Sequence, residues 1–272
     1  MENKNMPGKL WDVLYPTILI FLCMAAMTVV VMLLAGLVTG IYDADAMATQ
    51  IKGLPLLISG AAFVLVLVLT RKDRMVDSLR FWQEQNRFQP ALSAASCLLV
   101  TAAGHLTSSL IQASGLKEVF TAYTTTASLA FEGQEMWLLI AVTVILGPIA
   151  EEVIFRGMTY RRARAYLGSW KGMLVSAALF GLYHTNAIQF LYAFILGLIL
   201  ALIYEKSCSL RLVIAAHMCV NLWAVISGPL LSLLGADSGT GHLLVLAAEA
   251  VITAAMLGFL LFGPAGKKDE NN

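Results

Sequence analysis

The sequence predicts an all-α fold, a polytopic membrane bundle of about eight transmembrane helices with its N- and C-termini in the cytoplasm. Of the 272 residues, 59% are hydrophobic and 13% are charged, whereas a soluble domain is about 45–50% apolar and about 25% charged. The apolar residues also collect into runs near the length of roughly 20 residues that a spanning helix needs. We therefore predict a single transmembrane domain over residues 1–272.

Eight apolar runs are the predicted spans. They cover residues 14–40, 53–70, 91–113, 136–158, 172–188, 190–204, 211–228 and 243–262. The fifth and sixth runs are poorly separated, because only Asn186 and Gln189 interrupt them. The first run is far longer than the roughly 7–15 apolar residues of a signal peptide, so we expect a retained helix.

The placement of basic residues favours this count and predicts the orientation. With the N-terminus inside, every Lys and Arg except Lys52 and Lys117 falls in a cytoplasmic segment or at the cytoplasmic end of a span. An excess of Lys and Arg on one side is the positive-inside pattern. We therefore expect a multi-pass protein of the cell membrane, in contact with bilayer lipid. The net charge of +1 predicts no nucleic-acid partner.

Two polar segments and the cysteines complete the outline. Residues 71–89 are charged with interleaved aromatics, which is typical of either a helix on the membrane surface or a solvated loop. The tail 267–272 is expected to be disordered. No C-x-x-C spacing is present, so we expect small buried side chains at Cys23, Cys97, Cys208 and Cys219.

Three polar fragments interrupt the predicted spans within residues 136–228, the predicted site region. They are Glu151-Glu152-Val153-Ile154-Phe155-Arg156, then Phe180-Gly181-Leu182-Tyr183-His184, then His217-Met218-Cys219-Val220-Asn221. Ionisable side chains at membrane depth are costly unless partnered, so they are functional candidates by default. Three such fragments on neighbouring spans predict an active site.

Helical spacing suggests how the first two fragments are arranged. Glu152 and Arg156 are four residues apart, so they can form an ion pair on one helix face. Glu151 is left without a cation on its own helix, which suits a general base or acid. Phe180 and His184 have the same spacing, so the phenyl ring can wall the imidazole. Gly147-Pro148, just upstream, is expected to kink the helix.

The third fragment adds hydrogen-bond donors. His217 and Asn221 share one helix face, and an imidazole N–H with an amide N–H can stabilise a tetrahedral oxyanion in a dry cavity. A carboxylate and an imidazole near a water molecule would supply the nucleophile. These residue types predict amide hydrolysis inside the membrane. By contrast, we expect His105 to be a packing residue without a partner motif, and Glu249 to be isolated, with a local pair or a wet crevice around it.

The three fragments, in this order and spacing, resemble the CAAX prenyl protease and bacteriocin-processing family of intramembrane endopeptidases. The family pattern is E-E-x-x-x-R, then F-x-x-x-H, then H-x-x-x-N, and each motif occurs here without substitution. The resemblance covers roughly residues 145–225. A proline that often precedes the last histidine is absent, and Leu212-Val213 stand there instead.

This resemblance implies a role for each matched residue. Glu151 would activate the hydrolytic water together with His184, while His217 and Asn221 would form the oxyanion hole. Glu152 and Arg156 would hold the site in shape. No cofactor is implied. In the eukaryotic branch the substrate is a prenylated protein with a C-terminal CaaX motif, and the short termini here are like those of a bacterial member.

Two alternatives remain open at this stage. Glu151, His184 and His217 form a His₂Glu set, which is one of the catalytic zinc arrangements, although no H-E-x-x-H places two ligands on one turn. Buried Glu and His side chains also serve as proton relays. The chain can therefore also be interpreted as a transporter or an immunity-type binding protein without enzyme activity.

Overall fold

The predicted all-α polytopic fold is confirmed. A computed structural model describes residues 5–80, 89–116 and 134–262, and all regular structure in these ranges is helical. The helices are α1 (Met6–Thr39), α2 (Ala44–Gln50), α3 (Leu54–Leu69), α4 (Arg71–Arg80), α5 (Pro90–Ala113), α6 (Met136–Leu167), α7 (Ser169–Tyr183), α8 (Ala187–Ser207), α9 (Leu210–Leu233) and α10 (Gly239–Phe262).

Each predicted span contains a helix, although these helices differ in length. Within the described ranges, six helices are long and apolar enough to cross a membrane: α1, α5, α6, α8, α9 and α10. Helix α3 has 16 residues and turns by 53° into Arg71–Asp77, and this pair would make a seventh span. Helix α7 has 15 residues, which correspond to a length of about 23 Å. The hydrocarbon core of a bilayer is about 30 Å thick, so α7 is shorter than the core.

Polar side chains and glycines set the helix ends. Asn5 Oδ1 accepts from the Gly8 N–H at 3.1 Å and starts α1, and Asn186 Oδ1 accepts from the Ile188 N–H at 2.9 Å and starts α8. Gly168, with φ 85°, joins α6 to α7 in a conformation that favours glycine. Asn186 therefore separates two helices in a stretch of sequence that is otherwise almost continuously apolar.

Helix α6 lies at the centre of the bundle. In its most apolar stretch 61% of the residues are buried, compared with 11% in α1 and in α10. It packs against α1, α3, α7 and α9. Two π-helical segments, Ile140–Leu146 and Val153–Tyr160, flank the stretch Gly147–Glu152. Such segments rearrange the backbone hydrogen bonds of a helix and occur often at functional sites.

Two apolar clusters surround α6. One contains Ile20, Phe63 and Phe155 and joins α1 and α3 to α6. The other contains Leu99, Leu200 and Val213 and joins α5, α8 and α9. None of the four cysteines forms a disulfide: Cys23 is buried as expected, whereas Cys97, Cys208 and Cys219 are only half-buried.

Two arginines attach the C-terminal end of α6 to neighbouring helices. Arg162 Nε donates to Asp77 Oδ2 in α4 at 2.8 Å, and Arg162 Nη1 donates to the Asp12 carbonyl in α1 at 2.9 Å. Arg164 donates to Glu205 in α8 at 2.8 and 3.0 Å. Residues 71–80 of the charged segment are thus helical and packed on the bundle. Residues 81–88 and the predicted disordered tail 267–272 lie outside the described residues.

Gly172 allows α7 to pack closely against the end of α6. A Cβ atom at this position would lie 2.8 Å from the Arg164 backbone nitrogen and 2.9 Å from its Cα. These are backbone atoms, which cannot move aside as a flexible side chain can. The close approach matters for the site, because α7 carries Phe180 and His184.

We expect Gly172→Ala to lower the thermal unfolding temperature of the detergent-solubilised protein, because the added methyl group overlaps this backbone. Overpacking of this kind costs about 1–3 kcal/mol. Gly258→Ala is the matched control, since a Cβ at this helical position in α10 meets no atom within 4 Å. Equal unfolding temperatures for the two variants would contradict the close packing of α6 and α7.

Candidate active site

The three predicted fragments meet in the centre of the bundle. The first lies on α6, the second at the end of α7 and the third on α9. His217 contacts both glutamates of the first fragment. The Phe180 ring lies edge-on to both imidazoles, with centroid distances of 5.0 Å to His184 and 5.9 Å to His217.

Glu152 and Arg156 form the ion pair that their spacing predicts. Arg156 Nη1 donates to Glu152 Oε1 at 2.8 Å, and neither side chain has any exposed surface. Arg156 Nη2 donates to the Gly197 carbonyl at 3.0 Å, and the Phe180 ring centroid lies 4.6 Å from Arg156 Cζ. Removing one partner of such a buried pair typically costs about 3–5 kcal/mol, because the other charge stays buried.

His217 links the two glutamates. Its Nδ1 lies 2.8 Å from Glu152 Oε1, and its Nε2 lies 3.7 Å from Glu151 Oε2. Because an ionised carboxylate only accepts hydrogen bonds, Nδ1 carries a hydrogen and Nε2 is the ring atom turned to Glu151. Glu151 therefore has an imidazole as its neighbour on α9, although it has no cation on its own helix.

The cluster combines two carboxyl groups, a guanidinium and an imidazole. All four side chains are at most 9% exposed, and burial disfavours charge that is not compensated. An acid–base group lies on each side of the 3.7 Å gap between Glu151 and His217.

His184 has its ring orientation set by the backbone. Its Nδ1 lies 2.9 Å from the Phe180 carbonyl oxygen, so Nδ1 donates and Nε2 of the neutral ring is an acceptor. Thr185, the next residue, has φ 55°, a costly conformation for a residue with a branched side chain. Although both residues are described, Glu151 and His184 share no direct hydrogen bond or ion pair.

Asn221 donates a hydrogen bond to a backbone carbonyl of α6 that has no donor within the helix. Gly147 N–H bonds to the Val142 carbonyl in the π-helical pattern, so the Thr143 carbonyl would pair with residue 148. That residue is Pro148, which has no N–H. Asn221 Nδ2 donates to the Thr143 carbonyl at 2.8 Å instead. One amide hydrogen of Asn221 is therefore committed, and the second is available to a ligand.

A cavity of about 560 Å³ adjoins His184 and Asn221, whereas Glu151 and His217 are not among the residues that line it. Thr143, His184 and Asn221 form one part of its lining, and His105 and Trp223 form another. The cavity lies where α7 ends and α8 begins, beside the second half of α5 and of α9. His184 and Asn221 thus face space that is large enough for part of a peptide.

His105 and Glu249 differ from the sequence expectation. His105 was expected to pack without a partner, and Glu249 to be isolated. Their side chains instead bind each other, with His105 Nδ1 at 2.8 and 2.9 Å from the two carboxylate oxygens, and with 15% and 10% side-chain exposure. The two residues are 144 positions apart on α5 and α10, and no local spacing signals such a pair.

The His₂Glu alternative requires three side chains to converge on one point. Across residues 5–80, 89–116 and 134–262, no three His, Cys, Asp or Glu side chains lie close enough together to hold a metal ion. Glu151 and His217 are neighbours, but His184 is turned to the cavity from the end of α7. In this arrangement the three side chains do not form a zinc ligand set.

Comparisons with known proteins agree with the motif pattern. Residues 133–223 match the family model described as type II CAAX prenyl endopeptidase Rce1-like. The "Putative membrane peptidase YdiL" of Bacillus subtilis (strain 168) is 31% identical over 97 residues, which span 34% of this chain and 38% of that protein. No solved structure matches the chain. The resemblance is thereby confirmed over residues 133–223, the part of this multi-pass membrane protein that is similar to the Rce1-like family of CAAX prenyl endopeptidases.

Proposed function

We propose that the chain is an intramembrane endopeptidase that hydrolyses a peptide bond near the C-terminus of a membrane-associated protein or peptide. The contact that carries this proposal is the 3.7 Å approach of Glu151 Oε2 to His217 Nε2 in a buried cluster. The family match supports it, because the matched residues include all three fragments. By the same similarity we propose a CaaX-type substrate, with or without a prenyl group, that reaches the site from the lipid bilayer.

Glu151 is the base in the proposed reaction. In this proposal His217 carries a proton on Nε2, and the Glu151 carboxylate takes a proton from a water molecule as the water oxygen attacks the scissile carbonyl carbon. His184 Nε2 is a second acceptor that can orient this water. When the tetrahedral intermediate collapses, the proton on Glu151 passes to the leaving nitrogen and the C–N bond breaks. The products are a new carboxyl group and a free amine.

His217 and Asn221 are the donors in this proposal. The negative charge of the tetrahedral oxygen develops where the His217 Nε2–H and the second Asn221 amide hydrogen can reach it. Donors that are fixed before the reaction are effective because they need no reorganisation, and losing one typically costs about 100- to 1,000-fold in rate. Glu152 and Thr143 fix these donors, because each accepts the other hydrogen of the same group.

We expect Glu151→Gln to reduce cleavage by at least about 100-fold, because the amide cannot accept a proton from water. The assay is mass spectrometry of a peptide farnesylated four residues from its C-terminus, with the protein in lipid nanodiscs. Glu135→Gln, the same change at an exposed residue beside α6, is the matched control and should retain activity. A folded Glu151→Gln protein with full activity would refute the mechanism, and a wild-type protein that binds peptide without cleaving it would favour the transporter or binding-protein alternative.

We expect cleavage to survive treatment with excess EDTA or 1,10-phenanthroline, because the proposed mechanism uses only side chains. Metal analysis of the same purified sample should find no stoichiometric zinc, and a soluble zinc peptidase inactivated under identical conditions is the control. Loss of activity on chelation, with recovery on adding Zn²⁺, would contradict this mechanism. It would favour the His₂Glu alternative with Glu151, His184 and His217.

A further inference from the structure

The cavity beside His184 and Asn221 continues away from the site towards one end of the bundle. On α9 its lining extends from Asn221 to Leu231, which corresponds to a rise of about 15 Å. At its other end it is lined by Gln112 and Asp237, which are both exposed. The cavity therefore connects the proposed active site with the end of the bundle where α5 and α9 end and α10 begins.

The short helix α7 leaves room for this cavity. Helix α7 begins beside the arginine-rich end of α6 and ends at Tyr183, after about 23 Å. Because this length is less than the hydrocarbon core of about 30 Å, the turn from α7 to α8 lies below the opposite face of the membrane. His184 and Gln189 lie on either side of this turn, and both line the cavity.

The lining of the cavity is mainly polar. More than half of the residues that line it have polar side chains. On α5 and α8 these residues are His105, Ser108, Ser109, Gln112, Gln189 and Tyr192. Polar side chains at membrane depth face the bundle interior or a water-filled space, and an acyl chain in the cavity would leave them without hydrogen-bond partners. The lining therefore suits water and a polar peptide segment.

The charge distribution relates this end of the bundle to one side of the membrane. Arg161, Arg162 and Arg164 lie at the opposite end of the bundle, in the last turns of α6. Basic residues collect on the cytoplasmic side of membrane proteins, which makes the arginine-rich end the cytoplasmic one. Gln112 and Asp237 then lie on the non-cytoplasmic side.

We propose that the cavity is a hydrated channel in which a polar segment of the peptide substrate binds and reaches His184 and Asn221 from the non-cytoplasmic side. This inference rests on the proposed function, because the scissile carbonyl lies at the inner end of the channel, beside these two residues. A length of about 15 Å accommodates about four residues of an extended chain. The substrate class is then a membrane-anchored peptide whose anchor stays in the bilayer while the polar residues next to the cleaved bond occupy the channel.

Two pairs of cysteine substitutions, each two residues apart on one helix, test the channel in the full chain. Gln189→Cys on α8 and Ala224→Cys on α9 place a thiol in the lining. Leu191→Cys and Leu222→Cys are the matched controls, because these leucines are 39% and 40% exposed but do not line the cavity. Since the two pairs lie on different helices, a variant that fails to fold leaves the other pair as the test.

Bacterial spheroplasts that express each variant are treated with a charged methanethiosulfonate that does not cross the membrane, and mass spectrometry locates the label. The channel cysteines should react at least about 10-fold faster than their controls, because the thiolate is the reactive form and lipid disfavours its charge. The wild type gives the background from the four native cysteines. Equal rates within the pairs, or labelling of Gln189→Cys and Ala224→Cys only after permeabilisation, would overturn the channel.

Protection by peptide tests what the channel binds. In purified protein that also carries Glu151→Gln, so that cleavage does not interfere, a farnesylated peptide at about ten times its dissociation constant should slow labelling of the channel cysteines about 10-fold. Farnesol is the control and should not protect them, because the channel takes the polar part of the substrate. Absence of protection by the peptide, or equal protection by farnesol, would overturn the substrate channel. Labelling from the non-cytoplasmic side with protection by peptide, in a wild-type chain that does not cleave, would contradict only the proposed hydrolysis.

Discussion

One carboxylate oxygen, Oε1 of Glu152, accepts hydrogen bonds from two different helices, and the geometry of the site depends on it. Arg156 Nη1 and His217 Nδ1 both lie 2.8 Å from this atom, and all three side chains are buried. The first contact neutralises the carboxylate on α6, and the second sets the rotation of the imidazole on α9. His217 Nε2 is thereby directed to Glu151, and without Glu152 neither the position nor the tautomer of His217 would be defined.

The irregular backbone of α6 also fixes the orientation of a side chain in the site. The π-helical segment before Pro148 leaves the Thr143 carbonyl without an intrahelical donor, and Asn221 supplies one from α9. A backbone carbonyl at membrane depth has to be satisfied within the protein, so the irregularity and the amide depend on each other. The same contact orients the second amide hydrogen of Asn221. The Thr143 carbonyl on α6 thus fixes the orientation of the Asn221 amide on α9.

Much of this arrangement could be predicted from local patterns. The length and apolarity of the runs indicate a helical membrane bundle, and four-residue spacing indicates the pair Glu152–Arg156 and the contact of Phe180 with His184. Contacts between distant segments could not be predicted in this way, because nothing in the spacing of His105 and Glu249 marks them as partners. The boundary between the fifth and sixth spans was predicted near residue 189, whereas the two helices are Ser169–Tyr183 and Ala187–Ser207, because an apolar run does not show which polar residue caps the next helix.

The most direct test of the account is a double-mutant cycle on the cleavage rate with Glu151→Gln and His217→Gln, measured on folded protein in nanodiscs. Residues that act as one unit give strongly non-additive losses. If Glu152 holds His217 beside Glu151 so that the two act on the same reacting group, the double variant should be about as slow as the slower single variant. Losses that multiply would show that Glu151 and His217 act independently, and would contradict the central claim.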